Sequence, residues 1–296
     1  MRRFTLIAIP YLWLLALFLV PFLIVVKISL SDVAIARPPY MPQLDLSEGW
    51  AGLKAFFSEL DFENFAFLTT DELYWKSYLS SLRIALISTL LALVIGYPIA
   101  YGMARAPDEW RPTLLMLVIL PFWTSFLIRV YAWKVILAGD GVLNSVLVAT
   151  GIISEPLQIL NTNTAVFIGI VYTYLPFMIL PIYSALEKMD DSLLEAAEDL
   201  GASRLSAFWM ITIPLSKGGI IAGCFLVFIP SVGEFVIPEL LGGSGTLMIG
   251  RVLWQEFFNN LDWPLASAVA VVLLAILVIP IMIFQRSEDR ARERGE

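Results

Sequence analysis

The sequence predicts an all-α, polytopic membrane protein with six transmembrane helices. Apolar residues make up 59% of the 296 and charged residues 15%, whereas soluble domains hold only about 45–50% apolar residues. Mean hydropathy is +0.81. The apolar residues gather into runs of about 20, the length at which a helix crosses the hydrocarbon core. Lys and Arg concentrate in alternate connecting segments, as the positive-inside bias of membrane proteins requires.

In chain order, Arg2-Arg3 precede an apolar run from Phe4 to Val26. Ala34-Ile35-Ala36 mimics a signal-peptide cleavage site, but the run is too long and the site too far from its end, so a retained first span is expected. The loop from Lys27 to Lys76 holds four basic and eight acidic residues, which places it outside. The second span, Leu79 to Met103, is expected to break near its end at Gly96, Pro98 and Gly102. After Arg105 and Arg111, Pro112 suits a first helical turn, and a third span from Thr113 to Leu137 kinks at Pro121. The fourth span runs from Thr164 to Leu186 and contains Pro176 and Pro181. The fifth covers Gly218 to Leu240 and the sixth Pro264 to Phe284, leaving a solvated, mobile tail. Three segments follow: 1–76 (first span and outer loop), 77–284 (five spans with a cytoplasmic loop at 187–216) and 285–296 (tail). Six spans put both termini on the cytoplasmic side with Arg105, Arg111, Lys188, Arg204, Lys217 and the tail arginines.

The longest polar interruption of the second half is 190–214, which reads as two short helices on a tight bend. Ser192 and Glu195 stand at capping-box spacing. Gly201 ends the first helix in a left-handed conformation, Ser203 caps the second, and Pro214 stops it. Ala196 and Ala197 form a smooth face edged by Glu195, Glu198 and Asp199. That suits a docking element, or else an ordinary amphipathic hairpin between two spans.

The composition excludes several function classes. With no histidine and a single cysteine, Cys224, the chain has no Ser-His-Asp or Cys-His apparatus, no His-containing zinc site and no intrachain disulfide. No Walker A spacing occurs, so ATP has to be handled by another chain. Neither catalytic residues, a metal site nor a nucleic-acid surface is expected.

In the fifth span, Pro230-Ser-Val-Gly-Glu234-Phe-Val-Ile-Pro238-Glu239 puts two carboxylates where two prolines and a glycine oppose a regular helix. Charge and irregular backbone at membrane depth are tolerated where they face protein, water or a pathway. Glu234 and Glu239 are therefore expected to hold a passing organic cation, with Trp123, Tyr172 and Tyr174 as aromatic walls. The competing reading is a salt bridge to Arg129, Lys134 or Arg251. Arg129, Tyr131 and Trp133 read as an interfacial girdle with the guanidinium snorkelling outward. Gly242-Gly243-Ser244-Gly245 reads as a gate or hinge. The segment from Leu247 to Trp263 is too polar to span, so it lies along the outer interface or folds back.

The spacing of Glu195-Ala196-Ala197, Gly201, Ile211 and Pro214 resembles the EAA loop of permease subunits of bacterial binding-protein-dependent ABC importers. Ile213 stands where Leu is commoner, a change of shape without a change of polarity. In that family the loop is a coupling helix seated in a cytoplasmic ATPase, so the resemblance implies that Glu195, Ala196, Ala197, Gly201 and Pro214 couple the two. The blocks 121–133, 171–183, 233–243 and 249–264 look like the polyamine branch, nearest to putrescine permeases, and the likeness covers nearly the whole chain. It implies the type I importer fold in the bacterial inner membrane and a complex with a second permease, an ATPase dimer and a periplasmic polyamine-binding protein. Import would proceed by alternating access, with ATP bound by the partner ATPase and no cofactor or enzymatic activity in this chain. Two alternatives stay open: the same architecture carrying another small solute, and an autonomous cation channel or carrier.

Overall fold

The computed structural model describes residues 2–43, 49–190 and 192–293. Asp45, Glu48, Asp191 and Arg294 lie outside them, as do the side chains of Arg2, Arg3, Arg286, Arg290 and Arg292. Helices α1 (Arg2–Leu14) and α2 (Val20–Ser29) join through a π-helical turn at Leu15–Leu19. A small antiparallel ribbon follows, β1 (Asp32–Val33) and β2 (Tyr40–Met41), then α3 (Gly49–Ser58) and α4 (Glu63–Thr70). Next come α5 (Glu72–Ala104), α6 (Arg111–Ile119), α7 (Phe126–Ile136), α8 (Val142–Ala149), α9 (Asn163–Glu187) and α10 (Ser192–Asp199). The chain ends with α11 (Arg204–Ala207), α12 (Ile213–Val232), α13 (Val236–Leu241), α14 (Ile249–Trp254) and α15 (Trp263–Glu293).

Among the described residues, four helical stretches are long and apolar enough to cross a bilayer: Ile7–Ser29, Glu72–Ala104, Asn163–Glu187 and Arg204–Val232. The expected third span is a bent pair, Arg111–Trp123 and Phe126–Ile136, and the sixth corresponds to a shorter apolar stretch, Trp263–Ile279. The fold is all-α and polytopic, and its apolar elements follow the predicted order.

Four local expectations change. Instead of kinking, the third span turns by 90°. Pro121 lies in a 3-10 turn at Leu120–Trp123, and Thr124 is extended, its hydroxyl donating to the Pro121 carbonyl at 2.8 Å. The second span does not break, since α5 runs through Pro98. Gly96 is a packing position, where a Cβ would sit 3.0 Å from Met178 Cγ. Pro214 does not end its helix either. A π-helical turn at Phe208–Thr212 widens the backbone just before it, so α11 and α12 form one run. Prolines remove an i→i−4 hydrogen bond, and a widened turn removes the accompanying ring clash. The tail stays helical to Glu293, consistent with the helix-forming Arg and Glu residues before Gly295.

The chain forms two compact units, one from the residues up to Tyr78 with those from Val252, the other from Leu79 to Arg251. In the first, α15 packs along α2 and α4. The Asn64 amide donates to the carbonyls of Ser29 and Ser31 at 3.2 and 2.8 Å, and the Tyr78 hydroxyl to that of Val269 at 2.7 Å. In the second, α9 and α12 pack along each other. Gly219 and Gly223, one turn apart on α12, let the backbones meet: a Cβ at Gly219 would lie 2.5 Å from the Pro181 carbonyl oxygen, and one at Gly223 3.1 Å from that of Met178. Small residues spaced by four are the usual means of close helix approach in membranes. Around this contact Met178, Ile182 and Val227 are wholly buried. A second apolar cluster joins α13 to α7 and α9 through Val130, Ile170, Ile237 and Leu241.

Candidate functional site

The loop at 187–216 is built from its end signals. Asp190 starts it, its carboxylate accepting from the Ser192 amide at 3.0 Å and its carbonyl from the Leu193 amide at 3.2 Å. These contacts hold the Asp190 carboxyl below its usual range, the Ser192 backbone bond being the main cause. The expected Ser192 capping box is therefore replaced by an Asp190 cap, because Ser192 is already the first helical residue of α10.

The other end follows expectation. Gly201 has φ +84°; its amide donates to the Glu198 carbonyl at 2.9 Å and the Ala202 amide to that of Ala197 at 2.9 Å. That pair of bonds is a Schellman termination, in which the left-handed residue is best supplied by glycine. Ser203 caps the following helix, accepting from the Ser206 amide at 3.2 Å. Glu195 and Ala196 are exposed, Ala197 is half-buried and Pro214 is exposed. Around them Leu200 is 89% exposed, with Leu205, Trp209 and Met210 also outward. Leu200 stands beside the smooth face of α10, whereas Leu205, Trp209 and Met210 belong to the apolar run Arg204–Val232. Sequence reading passed over these four residues. The signal was a set of large apolar side chains in the longest polar stretch of that half of the chain.

The second feature is the break between α12 and α13. Pro230 lies in the last turns of α12 and Gly233 ends it. Glu234 then folds its carboxylate over the start of α13. One oxygen accepts from the amides of Phe235, Val236 and Ile237 at 3.1, 3.0 and 3.4 Å, and the other from the Tyr174 hydroxyl at 2.6 Å. Glu234 thus caps α13 while itself 7% exposed. The backbone of α14 closes on the break, since a Cβ at Gly250 would overlap the Gly233 and Glu234 carbonyl oxygens. Met248 and Ile249 are fully buried, so this end of the polar segment 247–263 folds back.

Beside Glu234 opens a recess of about 410 Å³ lined by Phe122, Phe126, Arg129, Tyr174 and Phe177. The five predicted pathway residues do not all meet there. Glu234 and Tyr174 do. Trp123 is 74% exposed at the bend between α6 and α7, and Tyr172 packs edge-on against Trp133 at 5.3 Å. Glu239 pairs with Arg251, Oε2 to Nε at 2.6 Å, and Arg251 also donates to the Gly243 carbonyl at 3.1 Å. The salt-bridge reading therefore describes Glu239. Gly243 packs against the Asn161 carbonyl, so the glycine cluster begins as a packed turn rather than a loose hinge. Arg129, expected in an outward girdle, instead lines the recess with its guanidinium 5.5 Å from the Phe122 ring.

Two acidic groups lie in the other unit. Glu256, 8% exposed, accepts from the Tyr74 hydroxyl at 2.9 Å and the Asn260 amide at 2.7 Å. Asp32, Asp61 and Glu63 bring carboxylate oxygens within 4.8 Å of one another at the surface.

The profile of binding-protein-dependent transport system inner membrane components matches residues 92–293. A spermidine/putrescine transport system permease protein, PotB, of Haemophilus influenzae is 42% identical over 290 residues, covering 98% of this chain and 95% of its own. The PotB protein of Escherichia coli K12 is 43% identical over 267 residues, 84% of this chain and 97% of its own. Among solved structures, a chain of a bacterial ABC transporter that imports the acidic polysaccharide alginate superposes with a TM-score of 0.70, covering 98% of this chain and 96% of that one at 15% identity. The family model and the two relatives show that the chain belongs to the family of binding-protein-dependent transport system inner membrane components.

Proposed function

We propose that the chain is the membrane-spanning permease of an ATP-driven importer of polyamines, with putrescine as the expected cargo and spermidine in the same class. The observation that carries this reading is the identity with the two PotB proteins, over 98% and 84% of the chain. The geometry supplies a mechanism in keeping with it. The 187–216 loop presents Glu195, Ala196 and Ala197 with exposed Leu200, Leu205 and Trp209 to an ATPase dimer. Pro214 keeps the widened turn that joins this loop to the span α12. Movement of the loop then reaches the break at Glu234 along one continuous helical run, Arg204–Val232.

At the break, Glu234 and Tyr174 offer a carboxylate and an aromatic face to an ammonium group, the two elements that bind alkylammonium ions. Trp123 and Tyr172 flank the approach, and Glu239 contributes once released from Arg251. A second permease completes the pathway, and a periplasmic polyamine-binding protein delivers cargo to the acidic outer loop. Both termini lie with the coupling loop in the cytoplasm. ATP-dependent uptake by the reconstituted complex, screened with labelled putrescine, spermidine and sulfate, tests the cargo. Uptake of a polyamine and not of sulfate is expected. Sulfate uptake without polyamine uptake would move the chain to another branch of the family.

A further inference from the structure

Phe177 is the ring that links the two charged ends of the recess beside Glu234. Its centroid lies 5.1 Å from that of Phe122, edge to face, and 6.2 Å from that of Tyr174. Phe122 carries the Arg129 guanidinium 5.5 Å from its ring, and the Tyr174 hydroxyl donates to Glu234 Oε2 at 2.6 Å. All of these residues line the same recess of about 410 Å³. Phe177 itself is 37% exposed, and no cation among the described residues stands over its ring.

The charges of the recess are held apart. The partners of Glu234, three backbone amides and one hydroxyl, are all neutral donors, and no ion pair among the described residues joins it to Arg129. Glu239, by contrast, is paired with Arg251. The chain also shows how a ring of this recess receives a cation, because Arg129 is already seated on Phe122. An aromatic face attracts a cation through its quadrupole, and more strongly where water is excluded. With Phe122 taken, Phe177 offers an open ring between the seated guanidinium and the phenol that bonds the unpaired carboxylate.

The geometry points to Phe177 as a specificity-determining residue of the pathway: its ring face, beside Tyr174 and the charge of Glu234, seats a terminal ammonium group of the cargo. The seat separates alkylammonium cargo from uncharged solutes of the same length, since a hydroxyl end has no charge for the ring quadrupole or the carboxylate to attract. The inference rests on the reading of this recess as part of a polyamine pathway. Occupation of the ring can be read without transport, so a failure of import and a failure of the seat are separate results.

The test uses the complete complex. In vesicles, Phe177→Leu keeps an apolar side chain but has no ring face, and it should slow putrescine uptake by about 2- to 30-fold, the range of a cation–π contact. Phe177→Trp should keep uptake, because indole is the better face for a cation. A merely structural role would favour the smaller Leu over Trp, and undiminished uptake by Phe177→Leu would overturn the proposal. Should neither variant assemble, 4-fluorophenylalanine in place of Phe177 decides, its fluorine resonance being followed in the assembled complex without ATP. Putrescine should shift that resonance and 1,4-butanediol should not. No shift with putrescine, or an equal shift with the diol, would overturn the seat. A putrescine shift in a complex that imports no polyamine would uphold the seat and overturn the import reading instead.

Discussion

Gly218 and Gly219 are adjacent on α12 and differ in one respect, which makes them a matched pair for the helix contact that holds the second unit together. A Cβ at Gly218 meets nothing within 4 Å, while one at Gly219 would lie 2.5 Å from the Pro181 carbonyl oxygen, 2.8 Å from Ala185 Cβ and 3.0 Å from Ile182 Cα. None of these three is the end of a flexible side chain, so α9 and α12 must separate to admit it. Overpacking of this kind costs about 1–3 kcal/mol. Replacing glycine by alanine in a helix returns roughly 1 kcal/mol, and that gain is common to both positions. Gly218→Ala should therefore be neutral or stabilising, and Gly219→Ala should fall about 1–3 kcal/mol below it. The chain carries its own probe, because Cys224 is the single cysteine and lies on the same helix. Its reaction with a fluorescent maleimide during denaturant titration reports the opening of α12. Equal unfolding of the two variants would refute the close contact.

Gly201→Ala should destabilise the end of α10 by about 1–2 kcal/mol, the cost of a left-handed Cβ, seen as faster amide exchange at residues 197–202 with α9 unaffected. Glu234→Gln keeps the size of the side chain but loses the charge, and uptake should fall while assembly and ATP turnover persist; normal uptake would remove Glu234 from the pathway. The Asp190 cap should weaken in acid. Its carboxyl is held below the ordinary value, so the stabilisation is complete above the unfolded pKa of about 3.9 and is lost as pH falls through the lower folded value. Exchange at the Ser192 amide should rise over that window and be high throughout in Asp190→Ala.

Much of the fold was readable because its signals are local. Runs of apolar residues, Gly201 before Ala202 and Ser203 at a cap position each set backbone conformation within a few residues of themselves. The misreadings concern prolines and partners. Pro98, Pro121 and Pro214 are the same residue in sequence, yet one lies inside an unbroken helix, one in a 90° turn and one after a π-helical turn. What separates them is the neighbouring backbone and packing, which no short window contains. Gly96 read as a helix breaker and proved to be a contact point, because the atoms that require glycine there come from α9. In the recess, Glu234 and Tyr174 were legible as a carboxylate and an aromatic residue within two apolar spans. Arg129 was misplaced because snorkelling and turning inward leave the same trace in a sequence. Glu239 was found as a charged group, but its commitment to Arg251 depends on how the chain folds back after Gly245.

The central claim is that the 187–216 loop couples ATP hydrolysis elsewhere to polyamine movement through this chain. Uptake of labelled putrescine and spermidine into vesicles holding the complete complex, with ATP inside or absent, tests it most directly when the intact chain is compared with Gly201→Asp at matched assembly. The account predicts ATP-dependent polyamine uptake by the intact complex and its loss in Gly201→Asp, whose side chain cannot readily follow φ +84°. Undiminished uptake by Gly201→Asp, or uptake by vesicles holding this chain without any ATPase, would contradict it.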